Sequence, residues 1–532
     1  MPLRKTTAPK NAAPKVNKAS RSNLKKDSKG HLWILLALSI IGAYIRLEPV
    51  IFDTVHFSFD QGLDISLVRR LVVDHKFTLI GRYTGLQGVF LGPLWTWLLA
   101  VPYLVSGGSP TANEIFMSLI GIGSIWASYW LVKKMFTPQI ALLSAGFVAL
   151  STQFIVASQV VLSPYALTLI MLPYLWCLWE VIQKNNDAFL PWLALLVGLS
   201  FQFEIAFGIV LVPATLVVLG AFGFFTRIGK HRLLSLIIFA ATFLPQVVFD
   251  LRHDFLISRA VLSYFNGSNT SLGSEGVGLL GRAGLRAGSL WQDYATSVAM
   301  RSEATWLALL VTCSLAIGWY RALRDKASAQ LRFGAMLMLL ILCVYLGFAL
   351  YPGPVWAWYR AGMPIVFMLL VAIAWSHLLP TQRGRWLVSI TILLLVWFGL
   401  KPSQYINRAL HGDEGTLASV KTQKNVIDMI FRDAGDEPFD LYVYTPPVYI
   451  YVWDHELYWY AKANYTNYPV DYGYQRGTAI HNTTYLVIEP DEYTSRIDGW
   501  KGNLALTGKP VKIWNLPSGI RIEKWEVMFN EE

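Results

Sequence analysis

The chain has 532 residues, of which 54% are hydrophobic and only 15% are charged. Because soluble proteins normally carry about a quarter charged residues, this composition excludes an ordinary soluble enzyme and indicates a membrane protein. The formal net charge of +11 is concentrated in residues 1–30 and in short clusters between apolar segments. That distribution is typical of cytoplasmic loops and argues against a nucleic-acid partner. Since all three cysteines lie within apolar segments, the sequence predicts neither a disulfide framework nor a cysteine-based metal site.

Apolar segments that could each cross a membrane follow one another from residue 31 to residue 401. A helix needs about 20 residues to cross a hydrocarbon core of about 30 Å, and the segment 188–226 is long enough to cross twice. The predicted fold class is therefore an α-helical polytopic membrane protein with about eleven transmembrane helices, preceded by a disordered basic cytoplasmic tail over residues 1–30. The predicted spans are 31–47, 113–132, 139–157, 165–183, 188–226 (two spans), 232–251, 303–320, 333–351, 361–379 and 386–401.

The apolar segment 89–105 is the exception, because we predict that it lies along the membrane surface. If it crossed the membrane, Lys133, Lys134 and every later basic cluster would lie outside the cell. Lys and Arg concentrate in cytoplasmic loops, and all of these clusters are cytoplasmic if the segment does not cross. Glycines and prolines also interrupt it, and its tryptophans suit an interfacial position. We therefore predict juxtamembrane helices within a first external loop over residues 48–112, a cytoplasmic N-terminus and an extracytoplasmic C-terminus.

The sequence changes character after the transmembrane domain predicted for residues 31–401. The remaining residues are more polar, and short β-like runs such as "FDLYVYT" (439–445) and "TYLVIEP" (484–490) are separated by helical patterns. Such an alternation is typical of a small α/β domain. We predict that residues 402–532 form this domain on the extracytoplasmic side, together with the long loop 252–302.

The first external loop carries carboxylates in the run "HFSFDQGLDISLVRRLV" (56–72). Ionisable groups at membrane depth usually line a cavity or a pathway, and here the loop is long, flanked by tryptophans and on the side where other polar groups converge. The alternative is a solvated amphipathic helix that Asp60 or Asp53 caps. We favour a functional role for Asp60 and leave both interpretations of Asp64 open.

A second polar group follows an apolar span in "LPQVVFDLRHDFL" (244–256), where Asp250, Arg252 and His253 mark the external end. Arg360 in "WAWYRAG" (356–362) is predicted to face the same side. A guanidinium fork suits a phosphate, and an anionic lipid headgroup is available at that depth. The alternative is that these cations only anchor helix ends at the interface.

At these residues the chain resembles GT-C glycosyltransferases of the protein-mannosyltransferase and aminoarabinose-transferase type, which use polyprenyl-phosphate-linked sugars. Four stretches carry the resemblance, which covers most of the chain from residue 31. They are the acidic first-loop run "FDQGLDISLV", the Gly-Pro-led "GVFLGPLWTWLLAVPYLVSG", the Phe-Asp-x-Arg-His pattern in "LPQVVFDLRHDFL", and "YVYTPPVYIYVWDHELYWYAKANY" at the start of the external domain.

The resemblance implies an inverting sugar transfer in which Asp60 is the general base, with Asp64 and Asp53 as supporting carboxylates. It implies that cationic groups bind the departing polyprenyl phosphate, and we assign that role to Arg252, His253 and Arg360. The chain departs from the family pattern, since it has Leu91 where many relatives have His, Gln159 for an Arg, and Glu204 for a His. The residues that we assign to the sugar or acceptor site are Tyr359, Glu204, Gln159 and Asp250.

The sequence thus predicts a membrane glycosyltransferase that moves a sugar from a polyprenyl phosphate to an acceptor on the extracytoplasmic face of the cell membrane. The acceptor could be a protein, a glycolipid or a cell-envelope polymer. A lipid-linked-sugar flippase or another transporter is the alternative, although the sequence lacks the internal repeats typical of transporters. A binding scaffold would leave Asp60 and Arg252 unexplained. No cofactor is required by this prediction. A divalent metal ion held by the acidic pair is the alternative, but no metal ligands are assigned because no His or third carboxylate lies in register with the pair.

Overall fold

The computed structural model describes residues 18–226, 231–266, 276–299, 306–399, 416–469, 471–477, 481–504, 506 and 508–526. Its part before residue 400 is helical. The first helix begins at Lys18, inside the segment predicted as a disordered tail, and residues 1–17 lie outside the described residues. The helices are α1 Lys18–Ile51, α2 Phe59–Val72, α3 Leu94–Ser106, α4 Pro110–Met135, α5 Pro138–Leu150, α6 Thr152–Gln159, α7 Leu167–Gln183, α8 Leu190–Phe203, α9 Ile205–Ala221, α10 Arg232–Ala241, α11 Leu244–Arg252, α12 Leu256–Phe265, α13 Leu279–Val298, α14 Leu307–Arg324, α15 Ser328–Leu350, α16 Pro364–Ser376 and α17 Gln382–Gly399.

The protein is a multi-pass membrane protein, but the predicted count of eleven spans is not established by the helices. Among the described residues, five helices are long and apolar enough to cross a membrane. They are Gly30–Ile51, Pro110–Met135, Ser163–Gln183, Leu307–Arg324 and Ser328–Leu350. Two further spans result if the pairs α5–α6 and α10–α11, bent by 53° and 50°, each count as one. Helix α3 has 13 residues and is therefore about 20 Å long, shorter than the hydrocarbon core, as a juxtamembrane helix requires.

The centre of the bundle is α16, whose residues Pro364–Trp375 are all buried. It packs against α14, α5 and α13. A helix that is apolar on every side, as this one is, belongs in the interior rather than at a surface. Around it, α4 packs on α1 and α5, α7 on α8, and α9 on α15.

The bend between α5 and α6 leaves carbonyl groups without helical partners, and Arg46 of α1 satisfies them. Its guanidinium donates to the carbonyls of Val148 and Ala149 over 2.6 and 2.9 Å and to the Ser158 hydroxyl over 3.1 Å. A break in a membrane helix is tolerated only where such partners exist. Arg46 is therefore a structural residue that holds three helices together.

The segment 252–302, predicted as an external loop, contains two helices among its described residues, α12 and α13. Helix α13 packs on α15 and α16, and its Asp293 and Arg286 are buried. The sequence did not show these helices, because the charges lower the apolar character of the segment. The structure pairs Asp293 with Arg360 and brings Arg286 to the Phe348 carbonyl, so the charges do not prevent burial.

The described residues after 416 form a small sheet with helices, as predicted, whereas the predicted boundary at residue 402 lies outside the described residues. The sheet order is β2-β1-β3-β5-β4, with β1 parallel to β2 and β3, and with β5 antiparallel to β3 and β4. All five residues of β1 are buried, as expected for a central parallel strand. The elements are β1 Asp440–Tyr444, β2 Asp471–Gly473, β3 Thr483–Ile488, β4 Lys512–Asn515, β5 Arg521–Glu526, α18 Val420–Ala434, α19 Tyr451–Glu456, α20 Lys462–Asn464 and α21 Thr494–Asn503, and a π-helical turn at Leu457–Ala461 joins α19 to α20.

This C-terminal part is joined by backbone and side-chain contacts to the segment 48–112, which was predicted as the first external loop and is called so below. The Phe57 amide donates to the Ala418 carbonyl over 2.7 Å, and Arg69 of α2 forms a 2.6 Å ion pair with Asp454 of α19. His455 Nε2 lies 2.8 Å from the Gly108 carbonyl oxygen, and burial lowers the pKa of this imidazole to about 4. The buried imidazole is therefore neutral and donates a hydrogen bond to that carbonyl. Together, these contacts place helix α2 between the bundle and the C-terminal sheet.

Candidate active site

Arg82 lies at the centre of a charged cluster in the first external loop, and a short hairpin positions it. The Leu91 amide donates to the Arg82 carbonyl over 2.9 Å, and the Gly81 amide donates to the Leu91 carbonyl over 2.7 Å. The next residue, Gly92, approaches α8 so closely that a Cβ there would overlap the Gln202 side chain. These contacts leave room only for glycine and fix the hairpin against the bundle.

Helix α2 supplies two carboxylates to the same cluster. Ser58 precedes the helix, and its backbone amide donates to the Gln61 side chain over 2.7 Å, which fixes the first turn. Asp60 lies in that first turn, where the helix dipole favours a negative charge. Asp64 lies one turn later and is buried, whereas 48% of the Asp60 side chain is exposed.

The two carboxylates have different surroundings. Asp60 Oδ1 lies 3.3 Å from Arg82 Nη1, whereas Asp64 Oδ2 accepts a 2.9 Å hydrogen bond from the indole of Trp95. Burial raises the pKa of Asp64 to about 6, although Arg82 and the indole N–H favour its charged form. The exposed Asp60 can therefore meet an incoming molecule, while the buried Asp64 holds Trp95 and Arg82 in place.

A third carboxylate, Glu204, lies in the turn between α8 and α9 and caps α9 by accepting a hydrogen bond from the Ala206 amide. Burial raises the pKa of Glu204 to about 7, opposed by that amide and by Arg82. Burial and the Glu204 carboxylate also raise the pKa of Tyr359, in the turn Ala357–Arg360, to about 12. The Tyr359 phenol is therefore a hydrogen-bond donor at neutral pH.

Arg82 faces all three carboxylates, and its Nη1 contacts Asp60 as an ion pair rather than through a well-aligned hydrogen bond. Burial alone would lower the pKa of Arg82, but the negative charges of Asp64, Asp60 and Glu204 hold it above its ordinary value. Arg82 Nη1 is buried and makes no hydrogen bond of good geometry. A buried unsatisfied donor on a cation is suited to an anionic oxygen of a ligand.

A cavity of about 370 Å³ opens beside Arg82, between α2, the segment 76–83 and the end of α11. The predicted phosphate-binding residues Arg252 and His253 both line it. His253 stacks on the Phe249 ring at 4.0 Å between centroids, and its Nδ1 lies 2.7 Å from the Phe249 carbonyl oxygen. The basic side chains that line the cavity are Arg70, Lys76, Arg82, Arg252 and His253. Such a lining favours an anionic group.

Three other predicted site residues lie away from this cavity and have structural partners. The Arg360 guanidinium contacts both carboxylate oxygens of Asp293, over 2.5 and 3.2 Å. Asp250 accepts the backbone amides of Ile257 and Ser258 over 2.6 to 3.3 Å and so caps α12. Gln159 donates to the Ile45 carbonyl of α1 over 2.8 Å.

Asp53 is exposed in the turn after α1, with a backbone φ of 54°, a conformation that Asp tolerates better than most residues. Because Arg360 is paired with Asp293, we leave it out of the proposed donor site. We treat Asp250 and Asp53 as turn residues. Among the residues that the structure describes, no group of three or more His, Cys, Asp or Glu side chains is arranged to hold a metal ion.

The sequence prediction missed Arg82, although a simple feature marks it. It is the sole charged residue between Lys76 and Glu114, a segment that contains the Gly-Pro-led stretch. An isolated charge next to an interfacial helix is expected to have a specific partner. Arg70 and Lys76 were also not assigned to the donor site, because nothing in their local spacing shows that α11 lies opposite them.

Comparisons with known proteins agree with this architecture. The family model for dolichyl-phosphate-mannose-protein mannosyltransferases matches residues 91–249, which include the Gly-Pro stretch from Leu91, Glu204, and α11 up to Phe249. The crystal structure of ArnT from Cupriavidus metallidurans bound to undecaprenyl phosphate is 12% identical, with a TM-score of 0.54, over 93% of this chain and 98% of that chain. The apo structure of the same protein is 13% identical, with a TM-score of 0.56, over 94% and 98% of the two chains. No curated protein sequence gave a significant match.

The residues of α11 and the Gly-Pro stretch that suggested the resemblance lie within, or next to, the segment that the family model matches. The structural similarity extends over almost the whole chain and so covers the C-terminal sheet as well. The predicted resemblance is thus confirmed: the chain has the GT-C fold of the ArnT structures, and residues 91–249 are similar to dolichyl-phosphate-mannose-protein mannosyltransferases.

Proposed function

We propose that the protein is a glycosyltransferase that transfers a sugar from a polyprenyl phosphate to an acceptor hydroxyl on the extracytoplasmic face of the membrane. One observation carries this proposal. The half-exposed carboxylate of Asp60 lies 3.3 Å from Arg82, and Arg82 in turn lines a cavity whose charged lining residues are all basic. This arrangement pairs an accessible base with a site for an anionic leaving group.

The cavity suits the phosphate of the donor. Arg252, Arg70 and Lys76 are exposed side chains around its rim, and Arg82 is the more deeply buried cation next to Asp60. Arginine presents a planar fork that matches two phosphate oxygens, and Arg82 Nη1, which is ion-paired with Asp60 at 3.3 Å, has no well-aligned hydrogen bond that a phosphate oxygen would displace. The relative with the same fold was crystallised with undecaprenyl phosphate, which supports a donor of this chemical class.

The proposed reaction replaces the bond from the anomeric carbon to the phosphate oxygen by a bond to the acceptor oxygen, and it moves one proton from the acceptor hydroxyl to Asp60. Asp60 removes the proton of the acceptor hydroxyl as its oxygen attacks the anomeric carbon of the donor sugar. The bond between that carbon and the phosphate oxygen breaks on the opposite side, so the anomeric configuration is inverted. The negative charge that develops on the departing polyprenyl phosphate is met by Arg82 and Arg252. Asp64 and Glu204 are too deeply buried to reach a large acceptor directly, which favours Asp60 as the base.

The test uses the purified full-length chain in nanodiscs. The donors are undecaprenyl phosphates that carry a labelled sugar, and the acceptors are extracts of envelope proteins, glycolipids and polymers. We expect the wild type to move label from at least one donor to an acceptor and Asp60→Asn to lose this activity. Asp498→Asn, an exposed carboxylate change on α21, is the matched control and should transfer normally.

Two results would contradict the proposal. The first is transfer by Asp60→Asn at the wild-type rate, which would require another base. The second is movement of the lipid-linked sugar across the bilayer of proteoliposomes without transfer to any acceptor, which is the behaviour of a transporter.

A further inference from the structure

Two tyrosines of the C-terminal part, the exposed Tyr449 and the partly buried Tyr451, form a stacked pair next to the first external loop. The centroids of the Tyr449 and Tyr451 rings lie 5.4 Å apart, and the rings are almost parallel, with an angle of 6° between their planes. Tyr449 is 57% exposed, so its ring can be reached by a ligand. The loop Pro446–Val448 that leads into the pair is exposed as well.

The backbone of this loop holds the pair in one place. Val448 has a φ of 72°, a conformation that β-branched residues rarely adopt. Its amide donates to the Thr445 carbonyl over 2.9 Å, and the Thr445 hydroxyl lies 3.3 Å from the Tyr449 carbonyl oxygen. Two prolines precede Val448 and restrict the loop further. Local strain of this kind is commonly found where a loop presents a functional side chain.

The pair lies beside the proposed base. Phe59, the residue before Asp60, contacts both rings, at 5.3 Å from Tyr451 and 6.5 Å from Tyr449 between centroids. Helix α2 also packs directly on the backbone of the pair, because a Cβ at Gly62 would lie 2.8 Å from the Val452 nitrogen. The position of the tyrosines relative to Asp60 is therefore fixed by close backbone contact.

A third tyrosine joins the same surface from the hairpin that carries Arg82. Tyr83 is 47% exposed, and its pKa is raised by burial of part of the ring and by its neighbours Tyr451, Asp60 and Tyr449. The surface thus combines aromatic faces, three phenol groups and a carboxylate. We call Tyr83, Tyr449 and Tyr451 the tyrosine platform.

We propose that the tyrosine platform binds a sugar ring of the acceptor, so that the acceptor is a saccharide and its attacking hydroxyl is presented to Asp60. This inference rests on the proposed function, because Asp60 is the base there. The apolar C–H face of a pyranose packs on an aromatic ring, and its hydroxyls can bond to phenols and carboxylates at the edge. A lipid chain would require a continuous apolar groove without these polar groups. A peptide segment gains less from parallel rings, since few of its side chains are flat on one face and polar at the rim.

The experiment measures saccharide binding rather than activity. Wild-type full-length protein in nanodiscs is titrated with maltotriose, chitotriose, mannotriose and xylotriose, and binding is followed by saturation-transfer NMR. We expect at least one trisaccharide to bind and Tyr449→Ala to weaken that binding by about 10-fold, the contribution of a lost aromatic contact. Tyr449→Phe keeps the ring and should bind within about threefold of wild type. Tyr493→Ala, another exposed tyrosine of the C-terminal part, is the control and should bind normally.

Undecaprenyl phosphate binding, measured on the same samples, shows that Tyr449→Ala is folded and separates this inference from the proposed function. Absence of binding by all four trisaccharides would overturn the inference, and so would equal binding by wild type and Tyr449→Ala. Specific binding of a Ser/Thr-rich peptide that depends on Tyr449, without saccharide binding, would also overturn it. None of these results bears on whether Asp60→Asn loses sugar transfer, so the two proposals fail separately.

Discussion

Replacing Arg82 by alanine removes the guanidinium that faces Asp60, Asp64 and Glu204. At the 3.3 Å separation from Asp60, two unit charges interact by about 5 kcal/mol at an effective dielectric constant of about 20. Because nearly half of the Asp60 side chain is exposed, solvent screening reduces this contribution to folding to about 1 kcal/mol. Without Arg82, the pKa values of Asp64 and Glu204 should rise further, from about 6 and about 7. These carboxyls would then be protonated and neutral, so the variant would not bury two unpaired charges.

The larger effect is expected on sugar transfer, since Arg82 would stabilise charge that develops on the leaving phosphate. Loss of one such donor usually slows turnover by about 10²–10³-fold, or roughly 2.7–4 kcal/mol of transition-state stabilisation. Single-turnover transfer by purified Arg82→Ala, compared with wild type, measures this directly. Arg82→Lys keeps the charge but not the fork and should recover only part of the rate. Arg496→Ala, an exposed arginine paired with Asp491, is the control.

A wild-type single-turnover rate for Arg82→Ala in a folded sample would refute the assignment of Arg82 to the leaving group. So would a loss of thermal stability by about 4 kcal/mol with normal transfer. That outcome would make Arg82 a structural cation of the hairpin, comparable to Arg46 of α1.

Three further results are expected. Folding raises the pKa of Asp64 from 3.8 to about 6, so the stability that this group contributes is complete below about pH 4 and is lost as the pH rises through about 6. At about pH 7.5, the free energy of unfolding of Asp64→Asn should therefore exceed that of wild type by up to roughly 3 kcal/mol, which thermal melting measures. At about pH 4 the variant should show no such gain, and an equal gain at both pH values would contradict the assignment. Arg252→Ala should weaken binding of undecaprenyl phosphate by about 10-fold. Arg360→Ala should instead destabilise the protein by about 3–5 kcal/mol, because it leaves the buried Asp293 without its cationic partner. Weaker phosphate binding by Arg360→Ala and unchanged binding by Arg252→Ala would return Arg360 to the donor site. In intact cells, an impermeant thiol reagent should label Gln87→Cys but not Lys133→Cys, and labelling of both would mean that α3 crosses the membrane.

The sequence was sufficient for features that depend on long or repeated patterns. Apolar segments of about 20 residues predict a helical membrane protein, and the alternation of β-like runs after residue 416 predicts the C-terminal sheet. The resemblance could also be stated from short motifs, because the Gly-Pro stretch and the Phe-Asp-x-Arg-His pattern retain their local form. Close packing explains the first of these, since only glycine at position 92 leaves room for Gln202.

The features that the sequence did not show are pairings between residues far apart in the chain. Arg360 looked available for a phosphate, but its partner Asp293 lies 67 residues earlier on a helix that was taken for a loop. The role of Arg82 depends on the approach of α2, a hairpin and the α8–α9 turn, none of which produces a local pattern. The number of spans is likewise difficult to predict, because a side chain such as Arg46 allows a helix to bend by donating hydrogen bonds to the carbonyls that the bend leaves free.

The central claim is that Asp60 is the general base, and single-turnover sugar transfer by purified Asp60→Asn beside wild type tests it most directly. Asparagine keeps the size of the side chain and most local hydrogen bonding but cannot accept the proton of the acceptor hydroxyl. We predict that the rate falls by about 10²–10⁴-fold while binding of undecaprenyl phosphate is retained. Transfer at the wild-type rate would contradict the account and leave Asp60 as a residue of the first turn of α2.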